Sequence, residues 1–277
     1  MESTILNVLI PALASFAIGI FITPIITHFL YHYKVWKKQG GKIAMTGNTA
    51  TEFNRLKGAQ ETRTPRMGGI VIWGSVLLTL VATYLLAWLF PESFFSDLDY
   101  LSRSQTLIPA TALLVGALIG FLNDFYDVYH GGRGLKLSLR LSLISLLALV
   151  LGWWFYAKLG VSEVNLPFNG ALELGIFIIP FFVLLTLVLY ASGVIDGIDG
   201  LSGGVFAAIF ASYTGIALIQ DQFHLAVFCA TVVGGTIAFL WFNIPPARFW
   251  MTETGSMALT LSLAKVVFMT DALGEGD

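Results

Sequence analysis

Apolar runs at residues 5–31, 68–90, 106–122, 137–156, 174–191, 201–219, 223–242 and 256–269 take up most of this chain. Seven of them approach or exceed the roughly 20 residues a helix needs to cross a bilayer. The eighth is short and carries Lys265. With 56% hydrophobic and only 12% charged residues, the composition lies far from that of a soluble domain. The expected fold is therefore all-α, a polytopic transmembrane helical bundle of about eight spans forming a single integral membrane domain over residues 1–277. Cys229 is the only cysteine, so no intramolecular disulfide can form. The first residues lack the basic segment of a cleaved signal peptide.

Basic residues assign the sides. The first loop carries Lys34, Lys37, Lys38, Lys42, Arg55, Lys57, Arg63 and Arg66; the third carries Arg133 and Lys136, with Arg140 just inside the next span; the seventh carries Arg248. Loops of the other face hold Arg103 and Lys158. The positive-inside rule then makes the odd-numbered loops cytoplasmic and puts the N-terminus outside. The segment 170–174 reads as an ordinary turn into a helix.

Five carboxylates gather on the face so assigned: Asp124 and Asp127, Asp196 and Asp199, and Glu253. Ionised groups beside hydrocarbon are costly and are usually kept for function. Oxygen ligands suit a divalent cation, and a cation suits a phosphate substrate. If helical, Asp124 and Asp127 share a face, with Asn123 beside them able to offer a carbonyl oxygen. Taken alone, a polar exit from the bilayer, with Asp as a cap, is the better explanation of this pair. Asp196 and Asp199 alternate with glycines between two spans, where close helix packing accounts for the glycines and leaves the aspartates to be explained. In the seventh loop, Arg248 suits a diphosphate and Trp250 suits stacking on a planar base. Snorkelling by Arg248 and interfacial anchoring by Trp250 are the plainer alternatives.

Four segments in order carry a specific resemblance: Thr64-Pro65-Arg66-Met67-Gly68-Gly69, Asn123 to Asp127, Asp196-Gly197-Ile198-Asp199-Gly200-Leu201, and Asn243 to Ser256. They resemble the signatures of the polyprenyl-phosphate N-acetylhexosamine-1-phosphate transferase superfamily, glycosyltransferase family 4. The resemblance implies an Mg²⁺-dependent phosphoglycosyl transferase of the bacterial inner (cytoplasmic) membrane, with its active site on the cytoplasmic side. It would join a UDP-linked amino sugar phosphate to a polyprenyl phosphate and release UMP. The nearer branch moves phospho-MurNAc-pentapeptide from UDP to undecaprenyl phosphate, the first lipid intermediate of peptidoglycan, and the alternative branch uses UDP-GlcNAc to begin teichoic acid or O-antigen. Implied partners are the UDP-sugar, the lipid phosphate and the membrane, with a homodimer compatible and no nucleic acid. The resemblance implies a catalytic set of Asp124, Asp127 and Asp196, metal ligands Asp196 and Glu253, and substrate contacts from Asn123, Asp199, Asn243, Arg248, Trp250, Gly255 and Ser256. Asp124 falls near the lipid phosphate as a candidate base, and Trp250 falls at the uracil pocket.

The chain departs from the pattern at several positions. Asn123 replaces the first aspartate of a pair, Gly193 replaces an asparagine, Glu253 replaces a ligand aspartate, and Thr252 replaces the glycine before it. The family pattern also runs to about ten spans with a His-rich motif that His28, His32, His130 and His224 do not form, so a truncated C-terminus is expected. The other classes weighed are an inactive lipid- or nucleotide-sugar-binding relative, which the substitutions motivate, and a transporter. A transporter would hold its acidic groups near the midplane, whereas these lie at span ends.

Overall fold

In a computed structural model, residues 2–38, 62–103, 105–130, 134–166, 170–192 and 198–272 are described. Among them are eight α-helices: α1 (Glu2–His32), α2 (Ile70–Leu89), α3 (Leu107–Tyr129), α4 (Leu137–Leu159), α5 (Ile178–Ser192), α6 (Leu201–Ile219), α7 (Phe223–Asn243) and α8 (Thr252–Ala272). α1 to α4, α6 and α7 contain stretches long and apolar enough to cross a membrane. α5 is shorter, at 15 residues, and is entered through a 3₁₀ turn at Gly175–Phe177.

The spans differ most from expectation at the two ends of the site. α3 does not stop at residue 122. It continues to Tyr129, so Asp124 and Asp127 stand on its last turns. The last helix starts at Thr252, four residues ahead of its apolar run. The segment 170–174 is no simple turn, because β1 (Glu163–Leu166) and β2 (Gly170–Glu173) pair antiparallel with Glu163 opposite Glu173. Alternating side chains over only four residues per strand leave too short a pattern to separate a strand from a loop.

α8 is the most enclosed helix although it is more polar than the rest. Met257, Leu259, Leu261, Ala264, Lys265 and Met269 are all buried, on every side of the helix. It packs most extensively on α3, with α5, α6 and α2 also in contact. α1, α4 and α6 are peripheral and expose large apolar side chains such as Phe21, Leu146 and Ile219. A central helix in a membrane protein does not face lipid, so it tolerates polar groups that find partners. Thr260 Oγ1 donates to the Ser256 carbonyl (2.7 Å), and Ser262 Oγ donates across to Pro109 on α3 (3.0 Å). Lys265 Nζ sits 4.4 Å from the centre of the Phe182 ring and 3.3 Å from Thr186 Oγ1, both on α5. Ring face and hydroxyl together offset part of the cost of burying the amine.

Truncation should therefore cost much more on α8 than on a lipid-facing helix. Leu261→Ala is expected to lower unfolding stability in detergent by about 2 kcal/mol or more. Leu146→Ala, on the exposed face of α4, should change it by less than about 0.5 kcal/mol in the same thermal melt.

Candidate functional site

Residues 116, 120 and 124 recur every four positions and so share one face of α3. They read Gly, Gly, Asp. The two glycines bring the backbones of α3 and α8 together: a β-carbon at Gly120 would overlap the Glu253 carbonyl, and one at Gly116 would lie 2.8 Å from that of Met257. The start of α8 is thus guided along α3 to the carboxylate of Asp124. Small residues four apart are the usual means of close approach between membrane helices.

Asp124 is fully buried. Its Oδ2 accepts from the Thr254 backbone N–H (2.8 Å), the Thr254 hydroxyl (2.6 Å) and the Thr252 hydroxyl (2.5 Å). The first N–H groups of a helix have no partner within the helix, and here one of them finds a carboxylate from another helix. Asp124 Oδ1 makes no hydrogen bond among the described residues and faces Arg66 Nη2 at 3.6 Å. Arg66 spans the pair, with Nη1 3.1 Å from Asp127 Oδ2, and Lys37 approaches the same oxygen at 4.0 Å. Glu253 stands in the first turn of α8, ahead of the membrane-crossing run, and pairs with Arg140 of α4 at 3.0 Å. Burial raises its carboxyl above the ordinary range; Arg140 pulls it down, Asp124 raises it, and Arg66 lowers it. Asn123 turns its amide oxygen to the backbone N–H of Leu135 (2.9 Å).

The segment carrying Arg66 is pinned by backbone bonds. Trp250 N–H donates to Pro65 (2.9 Å), Gly68 N–H to Trp250 (2.8 Å), and Arg66 N–H to Val35 (2.7 Å). Gly69 and Gly255 meet backbone to backbone, where a side chain on Gly69 would overlap the other glycine. Gly255 and Ser256 are both buried in this contact region.

A second group lies beyond the same loop. Trp250 Nε1 donates to Asp199 Oδ1 (3.2 Å), and the N–H of Ala247 lies 3.5 Å from Asp199 Oδ2. Asn243 uses both ends of its buried amide: Oδ1 accepts from Gly200 N–H and Nδ2 donates to the Phe249 carbonyl, each at 2.8 Å. Arg248 is exposed, with its guanidinium 5.4 Å over the Phe242 ring, at the edge of a groove of about 420 Å³ lined also by Trp241, Ile244, Pro245 and Pro246.

Asp124, Asp127 and Glu253, from distant parts of the chain, thus meet at one end of the bundle. Asp196 and Gly193 lie outside the described residues, as do Lys42, Arg55, Lys57 and Arg133. The described residues hold no group of three acidic, His or Cys side chains arranged to bind an ion. Glu253 nevertheless offers hard oxygens of the kind Mg²⁺ takes, so in donor chemistry it fits part of a magnesium site. Among the same residues, Asp124 Oδ1 is a buried acceptor without a hydrogen bond. The roles of Arg66, Arg140, Thr252 and Thr254 were not singled out from sequence. The available signal was charge balance: a cluster of carboxylates beside hydrocarbon calls for cations on the same face.

A family model described as Glycosyl transferase family 4 matches residues 106–271. A phospho-N-acetylmuramoyl-pentapeptide-transferase of Geobacillus sp. (strain WCH70) is 32% identical over 264 residues, 92% of this chain and 73% of that protein. A protein of the same name from Bacillus anthracis (strain A0248) is 30% identical over 270 residues, 95% of this chain and 75% of that protein.

Removing Arg66 would leave the buried Asp124 without its cation. Arg66→Ala is expected to cost about 3 kcal/mol. Adding Asp124→Asn to it should recover part of that loss, as read by thermal unfolding in detergent.

Proposed function

Because the chain belongs to glycosyl transferase family 4, we propose that it is a multi-pass membrane phosphotransferase that moves phospho-N-acetylmuramoyl-pentapeptide from UDP to a polyprenyl phosphate. A lipid phosphate oxygen attacks the sugar-bound phosphorus, the diphosphate P–O bond breaks, and UMP leaves. The convergence of Asp124, Asp127 and Glu253 with Arg66 and Arg140 carries this reading. The main difficulty is bringing two anions together, and the arginines set among these acids lower it. The names of the relatives support the choice of sugar.

Asp124 presents Oδ1 to the lipid phosphate and takes its proton or holds its position. Asp127 orients Arg66, whose guanidinium is suited to phosphate oxygens. Arg140, paired with Glu253, is a second cation for the diphosphate. Trp250, steadied by Asp199, offers its ring to the uracil. Asp196 and Glu253 would hold Mg²⁺, Glu253 reaching one methylene farther than the aspartate of the family pattern, and the bound ion would supply positive charge for the diphosphate. The basic first loop supports the reading that this end of the bundle faces the cytoplasm of a bacterial cell.

The test is radiolabel transfer into extractable lipid, run in parallel with UDP-MurNAc-pentapeptide and UDP-GlcNAc. The first should be the substrate, EDTA should abolish transfer, and Asp124→Asn should lower it by about 100-fold or more. Unchanged UMP release after Asp196→Ala and after Glu253→Ala would count against the metal assignment. Label entering lipid only from UDP-GlcNAc would move the chain to the other branch.

A further inference from the structure

Thr252 has φ of +53°, and Met67 has φ of +65°. Neither residue type favours the left-handed region, and a β-branched one there is a true outlier. The two meet directly: Met67 N–H donates to Thr252 Oγ1 (3.0 Å), and that hydroxyl donates to Asp124 Oδ2 (2.5 Å). Both are buried. Backbone strain of this kind persists where the surroundings impose it, and it clusters at working sites.

We propose that Thr252 is a positioning residue whose strained backbone aims its hydroxyl at Asp124 and so determines which carboxylate oxygen faces the substrates. With Thr252 and Thr254 holding Oδ2, the carboxylate cannot rotate without breaking three hydrogen bonds. Oδ1 stays clear of hydrogen bonds and turned to Arg66, the guanidinium proposed above to meet the phosphate. The link from Met67 ties this setting to the loop that carries Arg66, so the carboxylate and its guanidinium partner are held in register. A glycine at this position would adopt the backbone freely and supply no hydroxyl.

The inference rests on the proposed function, and its experiment separates the two. Thr252→Gly, Thr252→Ala and Thr252→Ser are compared for kcat, for KM toward the UDP-sugar, and for thermal midpoint in detergent. Positioning predicts that Gly and Ala lower kcat by about 10–100-fold with KM changed less than about threefold, the size typical of lost orienting partners. Ser should recover most of kcat. Gly, relieved of strain, should melt no lower than Ala. In an Asp124→Asn background, Thr252→Ala should cost little further, because the carboxylate it orients is gone. A purely structural threonine would instead shift the midpoint, leave kcat per folded enzyme intact, and act independently of residue 124. Either a normal kcat in Thr252→Gly or full additivity with Asp124→Asn overturns the inference while the transferase reading stands. A wild-type chain inert toward every UDP-sugar overturns both.

Discussion

A buried carboxylate that accepts hydrogen bonds from the first turn of another helix holds this site together. Asp124 on α3 has no exposure to solvent, and an ionised carboxylate there is tolerable only if paired and hydrogen-bonded. Thr252, Thr254 and Arg66 supply those partners from residues far away along the chain. The same contact satisfies the N-terminus of α8, which would otherwise carry unpaired N–H groups inside the protein. Gly116 and Gly120 let it form by removing side chains from the line of approach. Helix ends, loop and carboxylate are therefore mutually dependent.

The charges around this contact are locally matched. Arg66 bridges Asp124 and Asp127, Lys37 adds to Asp127, and Arg140 meets Glu253. An entering phosphate would have to share these arginines with the acids, since a buried acid stripped of its cation is costly. Arginine fits the task, since its planar donors serve carboxylate and phosphate oxygens alike and it remains charged. The backbone bonds among Val35, Arg66, Pro65, Gly68 and Trp250 fix the segment that carries Arg66.

Much of the fold was legible because bilayer thickness imposes one length on every span. The runs at 201–219 and 223–242 match α6 and α7 to within a residue. Legibility failed where the physics was local or polar. In the extension of α3 through Asp124 to Tyr129 the apolar run is broken by Asn123, Asp124 and Asp127, whose partners lie elsewhere in the chain. α8 looked the weakest span since Lys265 and several hydroxyls lower its hydropathy, yet it is the most enclosed. Hydropathy measures fitness for lipid, and a central helix never meets lipid. Thr252 stood out in the sequence only as a departure from a glycine, and its hydroxyl acquires meaning once Asp124 is seen beside it.

Sequence alone determined that the chain is a helical membrane bundle and where most of its spans lie. Those properties follow from hydrocarbon thickness, which does not depend on long-range contacts. Tertiary structure decided which carboxylate is buried, which oxygen it leaves free, and which arginine answers each acid. Such choices depend on ångström-scale separations between helix ends, and composition and spacing carry no record of them.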